Sequence, residues 1–398
     1  MQGRFRMKFD PIASAVRADP YPFYKELRER SPVSYVESVD TWGVARYDDV
    51  KFVLKNHQLF SSDPLIQIAF GEFNPAPGAP YMLASDPPVH TRLRKLVATA
   101  FTQRLIAHIG DSIGRMIHDL LDETDPDAGF DLIESLSSPL PVTVIADVMG
   151  IDTSMGPTFR RWSNQVTVGT NESISEETRA AIRQDAEDFR NYFIERIAAA
   201  RRSPGDDMIS TLVRAEEEGQ ELSADEVMAM CVLILIAGNE TTTSTIGNAM
   251  YLLAKNPDQK ALLLKNPELL KGLVEETLRY LSPIQMLFRR ATQDVEIGGV
   301  KIAADSVVMP IYASANRDEN MFANADHFDI TRTDVANHMA FGHGIHFCIG
   351  QALGRFETTL ALKTLLERMP NLVADVDNVE WNDSFYLRGP KRLWVANG

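Results

Sequence analysis

The 398-residue chain has only two cysteines, Cys231 and Cys348. So few exclude a disulfide framework and fit a reducing compartment, the cytoplasm. The chain also lacks surplus cations, with a formal net charge of −15. Nucleic acid and anionic membrane surfaces both select for excess Lys and Arg, so neither is an expected partner. No uninterrupted apolar run approaches the roughly 20 residues that span a bilayer; the most apolar stretch, Cys231 to Ala237, is far shorter. The N-terminus is basic, but no apolar segment follows it, which argues against a secretory signal and leaves Met7 as a second candidate start. Absent too are a Pro/Gly/Ser linker, a fixed-period repeat and a low-complexity tract, so a single domain over residues 1–398 is expected. Nor does the glycine-rich strand-to-helix fingerprint of dinucleotide binding appear. The chain is therefore expected to hold no flavin and not to oxidise NAD(P)H by itself.

What is present concentrates first at residues 341–350, Phe-Gly-His-Gly-Ile-His-Phe-Cys-Ile-Gly. Gly342, Gly344 and Gly350 allow positive φ or close approach to a flat ligand. The stretch from Gln351 has helical periodicity, which puts the Cys348 sulfur just ahead of a helix N-terminus. The partial positive charge there is expected to lower the thiol pKa and steady a thiolate, the metal-ligating form. This segment resembles the haem-binding loop of the cytochrome P-450 family, Phe-Gly-x-Gly-x-His/Arg-x-Cys-x-Gly. All six specified positions match: Phe341, Gly342, Gly344, His346, Cys348 and Gly350. The resemblance implies heme b with its iron held by the Cys348 thiolate and the loop residues packed around it.

A second block opens at Ser223-Ala-Asp-Glu226, a capping box, and stops at Asn256-Pro257. The proline-free span between them predicts a helix of roughly 45 Å. Its middle, Ala237-Gly-Asn-Glu-Thr-Thr-Thr243, puts a glycine, a carboxylate and three threonines where a buried helix carries leucine. Threonine hydroxyls there can bond back to the i−4 carbonyl and bend the helix. The block resembles the family's distal helix, whose Ala-Gly-x-Asp/Glu-Thr motif lies over the haem iron and opens into an oxygen groove. The motif falls on Ala237, Gly238, Glu240 and Thr241. By resemblance, Gly238 admits O2 to the backbone, Thr241 donates a hydrogen bond to the distal oxygen, and Glu240 relays protons from water.

Glu276 and Arg279 sit at i and i+3 and match the family's Glu-x-x-Arg, which implies a buried structural pair near the cysteine loop. The family's usual third partner, an arginine just before Phe-Asp, is replaced here by His327. His90 and Arg94 share one helix face. With Arg289 and His346 they resemble the ligands of the haem propionates, arginine matching a carboxylate bidentately. Arg289 is preferred to its neighbour Arg290 from its spacing to Ala291 and Asp294.

Strand-like alternation near 33–47, 295–311 and 380–396, with helical periodicity elsewhere, predicts a mainly α protein with small β-sheets. The resemblance implies the cytochrome P-450 fold, with haem between the long distal helix and the cysteine loop. It also implies a soluble bacterial-type monooxygenase that uses O2 as co-substrate and hydroxylates or epoxidises a lipophilic small molecule of secondary metabolism. Leu65, Ile66, Met82, Leu83, Ile284, Met286, Leu287, Phe385 and Tyr386 fall in segments like those that contact substrate in the family. Electrons would come from NAD(P)H through a ferredoxin and its reductase, steered to a patch of Arg92, Lys95 and Arg355 on a monomeric enzyme. Two other readings stand beside this one. One is a haem-thiolate sensor without turnover. The other is zinc on His338, His343, His346 and Cys348, although their spacing departs from the usual paired arrangement.

Overall fold

The computed structural model describes residues 9–99, 101, 103–169, 175–217 and 220–398, so the choice between Met1 and Met7 lies outside the described residues. Seven helices bear on the site: α1 (Val89–Ala98), α2 (Pro139–Val148), α3 (Gly156–Gly169), α4 (Glu176–Arg202), α5 (Ala224–Lys255), α6 (Leu270–Tyr280) and α7 (Gln351–Arg368). Around them lie further helices and small sheets, a mainly α architecture as the sequence patterns indicate.

Helix α5 organises the molecule. Its start is closed by a complete capping box: the Glu226 N–H donates to Ser223 Oγ at 3.1 Å, and the Ser223 N–H donates to the Glu226 carboxylate at 2.9 Å. Its end is closed by Asn256, whose side chain donates to the Leu252 carbonyl at 2.8 Å, and Pro257 begins the next helix. By length and composition alone α5 is long and apolar enough to cross a membrane. Instead it packs against α2, α3, α4, α6 and α7, and both its flanks are buried. Between Glu226 and Met250 accessible surface appears only near the middle, at Leu233, Ile234, Ile236, Ala237, Gly238, Glu240 and Thr241. Accessible side chains at the centre of the core helix mark an internal hollow.

The largest sheet has strands β1 (Val33–Val36), β2 (Thr41–Val44), β3 (Phe60–Ser61), β4 (Arg289–Ala291) and β5 (Val307–Pro310), in the order β1-β2-β5-β4-β3. The β2–β5 pair is parallel and the rest are antiparallel. The sheet presents Arg289 from β4. Strand pairing also brings distant segments to one side of the hollow: Ile284 bridges Leu387, and the Gln285 N–H donates to the Tyr386 carbonyl at 2.8 Å.

Candidate functional site

The cysteine loop is held by its own backbone. The Cys348 N–H donates to the Phe341 carbonyl at 2.9 Å, closing the loop on itself. Gly342 and Gly344 have φ of +71° and +73°, and a Cβ on Gly344 would stand 2.5 Å from the Leu54 carbonyl oxygen. The glycine pattern thus has a steric cause. Next to Gly350 nothing lies within 4 Å of where a Cβ would be. Sγ accepts from the N–H groups of Gly350 and Gln351 at the start of α7. Even so, burial pushes the Cys348 thiol up, outweighing those N–H groups and the charges of Arg94 and Arg355. The expected lowering of the thiol pKa is therefore corrected: enclosure costs the thiolate more than the helix terminus returns.

Two ion clusters are built on adjacent residues of α6. Glu276 and Arg279 are wholly buried and paired bidentately, Nε and Nη2 each 2.7 Å from a carboxylate oxygen. Arg279 also donates to the carbonyls of Asn316, Ala325 and His327. The third partner is Arg332, whose Nε lies 3.4 Å from the Glu276 carboxylate. His327 supplies only its carbonyl, so the arginine has moved along the chain and the network is complete without it. Beside this pair, Glu275 accepts from His338 Nε2 at 3.0 Å and from Arg355 Nε and Nη2 at 2.5 and 2.9 Å. Burial alone would raise this carboxyl, but the His338 and Arg355 bonds hold it down at about 2. Arg355 lies 4.2 Å over the Phe341 ring. It is a brace of the loop, and Arg92 is paired with Glu226, so two of the three cations expected in a docking patch are neutralised; Lys95 is exposed.

His90, Arg94, Arg289 and His346 converge. The two imidazoles lie with centroids 4.3 Å apart, and the Nε2 atoms of both are buried with no hydrogen-bond partner. Burial lowers both histidines, and for His346 the neighbouring Arg289, His90 and Arg94 add to it, bringing it to about 2. Arg94 donates to the Phe347 carbonyl at 2.7 Å, and Arg289 to the Phe288 carbonyl at 2.7 Å. Among the described residues no carboxylate lies within salt-bridge distance of any of the four. Arg290 turns away, to Asp63 and Asp305. Two arginines with no carboxylate beside them, and two enclosed imidazole nitrogens without a partner, suit an anion that accepts hydrogen bonds. Together with the hollow beside α5 and the enclosed sulfur, they fit a flat dicarboxylate ligand with a metal at its centre, such as haem.

On α5, Thr241 Oγ1 donates back to the Ala237 carbonyl at 2.8 Å, and Thr245 Oγ1 to the Thr241 carbonyl at 2.7 Å. The Thr241 hydroxyl thus makes the i−4 back-bond expected of threonine at this place, and its oxygen is left as an acceptor. Gly238 also has another cause than the one expected: a Cβ there would meet Ile145 Cδ1 of α2 at 2.7 Å. Its missing side chain lets α2 approach. Glu240 is raised by burial, and its charge adds to the burial that pushes Tyr386 up to about 12. The C-terminal segment therefore reaches the acidic position of the motif.

The apolar candidates divide. Ile66, Leu83, Ile284, Leu287, Phe385 and Tyr386 keep accessible surface, whereas Leu65, Met82 and Met286 are buried. The four proposed zinc ligands do not assemble, and among the described residues no group of three His, Cys, Asp or Glu could hold a metal. His338 is occupied by Glu275 and by the Ala340 N–H. Sequence reasoning missed Glu275, Arg332 and the Asn239–Ser163 contact; only the doubled acid at Glu275-Glu276 gave a local sign.

A sequence profile described as Cytochrome P450 matches residues 170–385. The chain is 39% identical to Cytochrome P450 107B1 of Saccharopolyspora erythraea, covering 96% of each. It is 37% identical to 6-deoxyerythronolide B hydroxylase of the same organism, covering 97% of this chain and 98% of the relative. The crystal structure of CYP109E1 from Bacillus megaterium in complex with testosterone superposes with a TM-score of 0.86 at 35% identity, covering 96% and 99% of the two chains.

Proposed function

Because the chain belongs to the cytochrome P450 family and is a monooxygenase of that family, we propose that it binds heme b through Cys348 and oxidises a ring-shaped lipophile with O2. The overall balance is one C–H or C=C bond, O2, two electrons and two protons, giving one oxygenated product and one water. Haem, when bound, supplies the reductive activation of O2.

The protein's share is positioning and proton control. Cys348 would ligate the metal, its charge met by the Gly350 and Gln351 N–H groups and by Arg94 and Arg355. His90, Arg94, Arg289 and His346 would hold the propionates, with Phe341, Gly342 and Gly350 along the ring. The convergence of Arg94 and Arg289, neither facing a carboxylate, with two imidazoles whose Nε2 atoms have no partner is the observation that carries the reading. Glu240, raised by burial, holds a proton more readily than an exposed carboxylate and can pass it inward. Thr241, its hydrogen committed to the Ala237 carbonyl, offers an acceptor that fixes a water beside Ala237 and Gly238. Ile66, Leu83, Ile284, Leu287, Phe385 and Tyr386 would form the apolar wall.

The relatives' names support a substrate of macrolide or steroid size, a product of secondary metabolism. A ferredoxin with its reductase would deliver the electrons to a monomeric, cytoplasmic enzyme, by way of the face that carries Lys95. The test is the visible spectrum of the reduced, CO-treated protein with purified ferredoxin and reductase present. A thiolate-haem band together with NAD(P)H-dependent oxygenation of a macrolide aglycone or testosterone supports the reading. A non-thiolate spectrum would overturn it.

A further inference from the structure

The middle of α5 carries a polar contact that proton delivery does not itself use. Asn239 stands between Gly238 and Glu240 and is 1% exposed. Its Nδ2 donates to Oγ of Ser163, 3.1 Å away on α3 and fully buried. One turn on, Thr243 Oγ1 donates to the Ser137 carbonyl at 2.9 Å and reaches Asn239 Oδ1 at 3.5 Å. A leucine would fill the volume of Asn239 without burying an amide. What a buried polar pair adds over an apolar one is register, since it is satisfied in one geometry only.

Helix α3 does not stand alone. Phe159 and Trp162 meet Phe189, Tyr192 and Phe193 of α4 edge to face, with Phe159–Phe193 centroids 5.9 Å apart and Trp162–Phe189 centroids 5.3 Å apart. The two helices therefore behave as one aromatic-laced body over α5. The short helix Leu65–Phe70, which bears Ile66 of the apolar wall, packs on α3, and the following turn Gly71–Phe73 packs on both α3 and α4. Ser163 is thus a polar link from this cover to α5, at the residue next to Glu240.

We propose that Asn239 is a positioning residue whose bond to Ser163 registers the α3–α4 cover on α5 and so sets where the Glu240 carboxyl stands. Occupancy under the cover and proton delivery are thereby linked. This rests on the reading of Glu240 as the proton-holding group.

Ser163→Ala and Asn239→Leu each remove the bond, and the double variant removes both partners. In the haem-loaded enzyme with ferredoxin and reductase, the readout is hydrogen peroxide released per NAD(P)H oxidised, with testosterone as the probe ligand and without it. Each single variant is expected to raise this yield about fivefold, on the order of one lost neutral hydrogen bond, and the double variant no further. Amide exchange at residues 237–241 quickens while α6 and α7 keep wild-type exchange. A wild-type peroxide yield in Ser163→Ala, with normal haem content and Tm, would overturn the proposal, as would additive effects in the double variant. Glu240→Gln separates the two readings. If it leaves the peroxide yield unchanged, the role of Glu240 fails; if it raises the yield while neither bond-breaking variant does, only the role of Asn239 fails.

Discussion

His90 and His346 face each other at a centroid distance of 4.3 Å and an interplanar angle of 59°, and neither Nε2 has a partner in the protein. They come from α1 and from the cysteine loop, and Arg94 of α1 bonds the same loop at the Phe347 carbonyl. A single ligand that spans the two elements would satisfy both nitrogens together.

Removing one donor should therefore loosen the ligand and spare the fold. His90→Phe keeps the ring and its packing. Haem transfer from this variant to apomyoglobin is expected to run faster than from wild type by about tenfold or more, the order of one hydrogen bond to a charged group. An unchanged transfer rate would remove His90 from the haem site.

Cys348→Ala and Cys348→His are expected to lose the thiolate-type CO spectrum and to bring product formation below detection, because only a thiolate supplies the required electron donation. Retained oxygenation in either variant would contradict the assignment of Cys348.

Thr241→Ala leaves the Ala237 carbonyl without its hydroxyl partner and removes the acceptor that would fix water beside it. Haem and substrate binding should persist, and product per NAD(P)H should fall about tenfold or more. The ratio is measured directly, and a wild-type value would take Thr241 out of proton delivery.

Glu275 has a worked sign. Its carboxyl is held at about 2 in the folded protein against a reference of 4.5. The unfolded chain therefore binds the extra proton below pH 4.5, and the stabilisation is full above that pH and lost as pH falls toward 2. A difference of this size is worth about 3 kcal/mol. Glu275→Gln should lower stability at pH 7 by that order and flatten the acid limb of a Tm-against-pH curve, read by calorimetry. An acid limb identical to wild type would show that the pair contributes nothing.

Arg332 closes the Glu276 network through 3.4 Å to the carboxylate and through bonds to the carbonyls of Ala323, Asn324 and His327. Lysine cannot reproduce that fork. Arg332→Lys is expected to cost about 1–3 kcal/mol in denaturant unfolding, because it weakens a contact to the buried Glu276 carboxylate, whereas the Ala323, Asn324 and His327 carbonyls it leaves belong to exposed residues. His327→Ala, which keeps the carbonyl, should cost under about 1 kcal/mol.

What the sequence determined by itself was whatever depends on near neighbours along the chain. Ser223 and Glu226 close a helix start within one turn, Gly342 and Gly344 permit positive φ where they stand, and Glu276 and Arg279 meet at i and i+3. Spacing of this kind survives in any fold that keeps the local element. Other matters were left to the tertiary structure. Arg332 lies 56 residues from Glu276, Arg355 lies 80 from Glu275, and Asn239 lies 76 from Ser163. No periodicity links such pairs, because the contact exists only once helices from different parts of the chain have packed. The same reason governs Cys348 and Gly238. Local charge argued for a lowered thiol and the family resemblance assigned Gly238 to O2, but the burial of the sulfur and the approach of Ile145 are properties of neighbours that the local pattern does not contain.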